Sequence, residues 1–209
     1  VIVNNCINWR NHLLGNDEEQ GLIKCLSKRI GILSKLRKYL PDKKFKQITE
    51  GLFTSKLIYC ITVWGFNLTK EDLRRLQVLQ NKCLRLLSHS NYDTPRKILL
   101  QKYNQLSVKQ LITYHTASQT HRIFISQYPA YHFKKLFSHE NMAHAERTRS
   151  QDKYNAHNID YKLTLSRNQF FYQAAKIWND LPVQIRKIEK NEQFKKALKL
   201  WVNHNVPLF

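Results

Sequence analysis

Apolar residues recur at helical spacing along most of the chain. Leu22, Leu26, Ile30, Leu33, Leu36 and Leu40 form one stripe behind the acids Asp17, Glu18 and Glu19, which favour a helix N-terminus, and Pro41 stops it. This predicts a helix over 18–40. A second runs from Asp42 to about Trp64, with Phe45, Ile48, Leu52, Phe53, Leu57 and Tyr59 on its apolar face. The run "LIYCITVW" has β-rich propensity, but the helical periodicity enters it unbroken and favours helix over strand. Gly65 ends this element, and Thr69-Lys70-Glu71-Asp72 has the pattern of a helix cap. The next helix, 70–88, places Leu73, Leu76, Leu79 or Gln80, Cys83, and Leu86 with Leu87 on one side. "SNYDTP" is a turn, and helices follow at 95–103 and 107–128.

The pattern then fails. Between 127 and 160 the sequence is polar and aperiodic, which predicts a loop or mobile segment. "IDYKLTLS" alternates, as a lone strand near 159–165 would. Two last helices are expected at 167–180 and 191–204, separated by "NDLPVQIRK". At the other end, "VIVNNCINW" suggests a short β segment and a turn. The fold class expected is therefore mainly α, a multi-helix bundle. Five Gly and five Pro in 209 residues suit long helices with short connections. The expected divisions are 1–15, a strand and turn; 16–128, a helical domain; 129–166, the loop; and 167–209, a C-terminal helical region packing on the rest.

Charge changes the picture most. The chain has 35 Lys and Arg against 15 Asp and Glu, a net charge of +20. Such an excess attracts polyanions and points to a nucleic-acid partner before an anionic lipid surface. Cys6, Cys25, Cys60 and Cys83 contain no C-x-x-C and sit within apolar or helical patterns, as reduced, partly buried thiols do. No apolar run is long enough to span a membrane. An intracellular location, nuclear or cytoplasmic, is expected. The chain begins with Val1, and we expect it to be part of a longer polypeptide.

Two basic ladders are the candidate binding residues. Lys24, Lys28, Lys35 and Lys38 share one face of the first helix, with Gly31 in the same stripe, where a bare backbone would admit a sugar-phosphate chain. Arg74, Arg75, Lys82 and Arg85 line a face of the 70–88 helix, where guanidinium forks suit phosphates. Arg96 could extend the surface, and Gln77, Gln80 and Asn81 could add neutral contacts. The pattern fits an ordinary solvated face equally well, with Gly31 packed on a neighbour and some arginines paired with acids. Chemistry is harder to find. His115 and His121 are six apart and His139 and His144 five apart, so neither pair ligates from one helix face, and no metal site is expected. There is no Gly-rich phosphate loop, nucleophile elbow or Asp-Asp pair. The chain alone is not expected to be an enzyme.

Four ordered motifs suggest a family. "YCITVWG", "LRRLQVLQNKCLRLL" and "YDTP" across 59–95 resemble the region after the polymerase core in reverse transcriptases of non-LTR (LINE-type, jockey-like) retrotransposons. "INWRNHL" at 7–13 is similar to that family's segment closing the palm, and "KRIGILSKLRKYLP" at 28–41 to its following helix. "AAKIWNDLPVQIR" at 174–186 with "FKKAL" at 194–198 is similar to its ending. The resemblance implies a thumb-type bundle gripping a template–primer duplex by backbone contacts, next to an upstream polymerase core. The family's catalytic Tyr-x-Asp-Asp motif is absent here, so its Mg²⁺ would belong to that core and this chain would hold no cofactor. An alternative is a structural or protein-interaction module derived from a retroelement, with Trp178 and Leu181 as anchors or simply as core.

Overall fold

The computed structural model describes residues 21–137, 154–157 and 163–208. Among these the chain is mainly helical and contains no strand. It divides into two compact units, residues 1–108 and 109–209. The helix expected to close the first domain, 107–128, therefore belongs almost wholly to the second unit. The expected β segment at the N-terminus and the strand–turn division 1–15 lie outside the described residues.

In the first unit, α1 (Leu22–Leu36) buries Leu22, Leu26 and Leu33, and it packs on α5 (Lys70–Ser88). The second expected helix is real but broken. It comprises α2 (Asp42–Thr49), a π-helical turn (Glu50–Thr54), α3 (Ser55–Ile58), α4 (Ile61–Trp64) and a 3₁₀ turn (Gly65–Asn67). Side chains serve the carbonyls of the π turn: Ser55 Oγ donates to Gly51 and the Arg29 guanidinium to Leu52. The break between α3 and α4 falls at Tyr59 and Cys60, with Cys60 left-handed at φ 51°. The indole N–H of Trp64 satisfies the freed Tyr59 carbonyl at 2.8 Å. The break lets Leu57, Ile61 and Trp64 all bury, and it turns Tyr59 and Cys60 out to solvent. Tyr59 is thus not on the apolar face, and Cys60 is exposed rather than partly buried.

α5 begins with a complete capping box. Asp72 N–H donates to Thr69 Oγ1 at 3.1 Å, and Thr69 N–H donates to Asp72 Oδ2 at 3.4 Å. At the far end the helix meets Arg37, whose Nε–H donates to the Leu86 carbonyl at 3.0 Å. The other arms of that guanidinium reach the Leu40 carbonyl at 3.3 Å, Asp42 and the ring nitrogen Nε2 of His89. Its plane lies 4.7 Å from the centre of the Phe45 ring. One side chain thereby joins the ends of α1 and α5 to the start of α2, and it holds the exposed Asp42 carboxyl below its usual range. The short helix α6 (Arg96–Lys102) completes the unit, burying Leu99 and Leu100.

In the second unit, α7 (Val108–Ser126) is followed by α8 (Ala130–Phe137), in the stretch expected to be loop. Leu136 and Phe137 are buried there, an apolar edge too short to raise the periodicity of its polar surroundings. Thr164 and Leu165 of the expected lone strand belong instead to the helical turn α9 (Thr164–Arg167); among the described residues no strand is present for them to pair with. Leu163 is an exposed bend just before it, and residues 159–162 lie outside the described residues. Next come α10 (Phe170–Asp180), α11 (Val183–Arg186) and α12 (Asn191–Asn205). Trp178 is the centre of this core, ringed by Phe124, Phe137 and Phe194.

His121 stacks on Phe194 at 3.8 Å, and its Nε2–H donates to the Ile188 carbonyl at 2.7 Å. Nδ1 then carries the lone pair and is buried with no partner among the described residues, so protonating it would bury an uncompensated charge. Burial pushes its pKa down, Lys195 adds to this, and the Ile188 carbonyl opposes it. His115 shifts the same way, first by burial and then by Lys195.

Two outcomes follow. Replacing Arg37 by Ala leaves the Leu86 and Leu40 carbonyls without this donor and should cost about 1–3 kcal/mol, read as a lower urea midpoint. Both histidines bind protons more weakly folded than unfolded, where the pKa is near 6.5. Stability present above about pH 6.5 should therefore decline as the pH falls below it. Urea midpoints at pH 7.5 and 5.5, compared for wild type and His121→Phe, measure this; a wild-type midpoint that does not drop would refute it.

Candidate nucleic-acid interface

α1 has two opposed faces. Leu22, Leu26 and Leu33 lie against the core, and Lys24, Lys28, Gly31 and Lys35 lie roughly half a turn away. All four are exposed, as is Lys38 just past the helix end. Among the described residues no carboxylate pairs with Lys24, Lys28, Lys35 or Lys38. Gly31 does not pack on a neighbour: a Cβ built there meets nothing within 4 Å. The first ladder is an open, uncompensated cationic stripe with a bare patch of backbone in its middle.

The second ladder differs. Arg74 and Arg75 are exposed but share the Glu71 carboxylate. Arg74 grips it with two N–H donors at 2.8 and 2.9 Å, and Arg75 donates one at 3.1 Å. These bonds, Arg74 first, hold the Glu71 carboxyl down at about 2 and raise the pKa of Arg74. The acid lies one turn away on the same helix, in exposed pairs that contribute little and leave guanidinium edges to solvent. Lys82 is exposed and likewise has no carboxylate partner among the described residues. Arg85 is half-buried; one of its amino groups donates to the Thr94 carbonyl at 3.3 Å. Arg96 is half-buried at the start of α6, and burial lowers its pKa.

The two ladders do not face one another. α1 lays its leucines toward α5, so its lysines point away from the arginines. α5 buries Leu76, Leu79, Gln80, Cys83 and Leu84 and presents Arg74, Lys82 and Arg85 on its opposite side. The first unit thus carries two outward basic faces on packed helices rather than one groove lined from both walls.

Gln77 and Gln80 are not available for sugars or phosphates. Both are buried, and they clamp the connection from α6 to α7. Gln77 Oε1 accepts from Val108 N–H at 2.9 Å, and its amide donates to Gln80 Oε1 at 2.8 Å and Asn81 Oδ1 at 2.9 Å. Gln80 in turn donates to the Leu106 carbonyl at 2.8 Å. The apolar stripe already allows Gln80 an inward place, but not Gln77, because the α5 interface reaches wider than its leucines mark. A small cavity beside the π turn, of about 20 Å³, is lined by Thr49, Phe53, Leu57, Cys83 and Leu87. It has room for about one water rather than a substrate. Burial drives the Cys83 thiol up to about 12, so it is not a nucleophile at neutral pH.

In the second unit the two large apolar residues of "WNDLP" are internal, while Asp180 and Pro182 are exposed. Trp178 and Leu181 are buried, so neither is presented as a docking anchor. The Trp178 indole N–H donates to the Tyr154 carbonyl at 2.6 Å. Asn179 pairs with both backbone groups of Ala156 at 2.9 Å, and Arg186 donates to the Tyr154 carbonyl at 3.2 Å. The motif binds segment 154–157 of its own chain. Among the described residues no group of three or more His, Cys, Asp or Glu is placed to hold a metal ion, and no helix is long and apolar enough to cross a membrane. Comparison with protein-family models, with characterised proteins and with solved structures finds no match.

The open surroundings of Gly31 give a direct check. Gly31→Ala should stabilise α1 by about 0.5–1 kcal/mol, since the methyl meets open space and glycine is the poorer helix former. A lower urea midpoint in the variant would show that the site is constrained after all.

Proposed function

We propose that this chain is the nucleic-acid-binding, template–primer-gripping helical region of a retrotransposon RNA-directed DNA polymerase, working beside a catalytic core supplied upstream. The observation that carries the reading is the lysine stripe of α1. Lys24, Lys28 and Lys35 are exposed and without carboxylate partners among the described residues, on both sides of an exposed glycine. From Lys24 to Lys35 the helix rises about 16 Å, against roughly 3.4 Å per phosphate along a strand, so the stripe spans several phosphates. Lysines meeting phosphates release condensed counterions and bind without reading sequence. The ordered motifs of the chain supply the retroelement assignment, and the net charge of +20 supports a polyanionic partner.

Binding to a labelled RNA–DNA hybrid over a salt series tests this. We expect dissociation constants of about 10⁻⁴–10⁻⁶ M at physiological salt, weakening steeply as salt rises. Lys28→Glu with Lys35→Glu should weaken binding and reduce the salt slope by roughly one for each phosphate that is no longer neutralised. Binding that persists at high salt, or a slope untouched by the double variant, would sink the stripe as the grip.

A further inference from the structure

The turn after α5 carries Tyr92, which is 81% exposed. Isolated exposed aromatics are ordinary on protein surfaces, and Tyr39, just past α1, is one. Tyr92 differs in how it is held. It is the second residue of a hydrogen-bonded turn in which Thr94 N–H donates to the Asn91 carbonyl at 3.2 Å. The residue just before that turn and its last residue are both tied to Arg85. Ser90 N–H donates to the Arg85 carbonyl at 3.3 Å, and the Arg85 guanidinium donates to the Thr94 carbonyl, also at 3.3 Å. The same guanidinium stands over the Tyr92 ring, 5.2 Å from its centre. Arg85 thus fixes the turn and backs one face of the ring, while the other face lies open to water.

A cation-backed aromatic with an open face is what an unpaired base stacks on. Every base offers a π surface, so such stacking needs no particular sequence. The surroundings suit a strand passing over the ring: Lys82 lies one turn before Arg85 on α5, Lys97 lies just beyond the turn, and both are exposed. Asp93, the exposed acid beside Tyr92, disfavours a phosphate at the turn itself, so the base and not the backbone is what this position takes. We propose that Tyr92, backed by Arg85, is a stacking platform for an unpaired nucleobase at the edge of the basic face of α5. This rests on the nucleic-acid reading above and adds that single-stranded nucleic acid next to a duplex is recognised there. Arg85 then acts as a positioning residue rather than as a phosphate ligand.

The test uses the full chain and two probes, a blunt RNA–DNA hybrid and the same hybrid with a short single-stranded overhang bearing 2-aminopurine. Wild type should bind the overhang probe more tightly and quench the 2-aminopurine emission. Tyr92→Ala should weaken overhang binding by about tenfold and abolish the quenching, with the blunt hybrid unaffected, while Tyr92→Trp should retain both. Tyr92→Leu keeps bulk without a π face and should behave as Tyr92→Ala, which covers the case in which the smaller residue disturbs the turn. Equal losses on both probes, or no loss on either, overturn the platform and leave the nucleic-acid reading standing. A wild type that binds neither probe overturns both.

Discussion

The first unit depends on the guanidinium of Arg37. A helix end leaves carbonyls without donors, and here the ends of two packed helices meet at one place. Arg37, the residue that caps α1, stands between them: it donates to Leu86 near the end of α5 and to Leu40 beyond α1, and it pairs with Asp42 at the start of α2. Its flat face rests on Phe45, which is buried, so the charge is held by packing as well as by acceptors. A lysine could not fill the position, since one ammonium cannot reach three directions in a plane. With this joint fixed, the leucine stripe of α1 lies toward α5 and its lysines face water.

Binding surface and scaffold use different polar residues. Lys24, Lys28 and Lys35, which have no carboxylate partner among the described residues, stand where they keep their hydration. Neutral amides hold the chain path at several buried positions, where backbone groups satisfy them. Gln77 and Gln80 hold residues 106–108 in this way, and in the second unit Asn179 holds Ala156 by both backbone groups. A buried amide with a complete set of partners fixes one chain path, which a further leucine would not do. The arginines divide between the two roles. Arg74 and Arg75 remain at the surface on Glu71, whereas Arg37, Arg85 and Arg186 are committed largely to carbonyls.

By itself the sequence determined the helical class and most helix positions, since apolar residues at a 3.6-residue period have one way to bury together. Thr69 and Asp72 marked the start of α5, because a capping box is a local interaction between residues three apart. The opposition of lysines and leucines on α1 was equally legible, and with it the candidate stripe. Tertiary structure decided what depends on distant partners. It broke the second helix at Tyr59 and Cys60 so that Trp64 could turn inward, and it made a helix of Ala130–Phe137 by giving Leu136 and Phe137 a core to enter. It took Gln77 and Gln80 out of the binding face and set Arg85 beneath Tyr92. Periodicity reports which side of a helix is apolar, but only the packed neighbour fixes how wide the buried arc is and which polar side chains fall inside it.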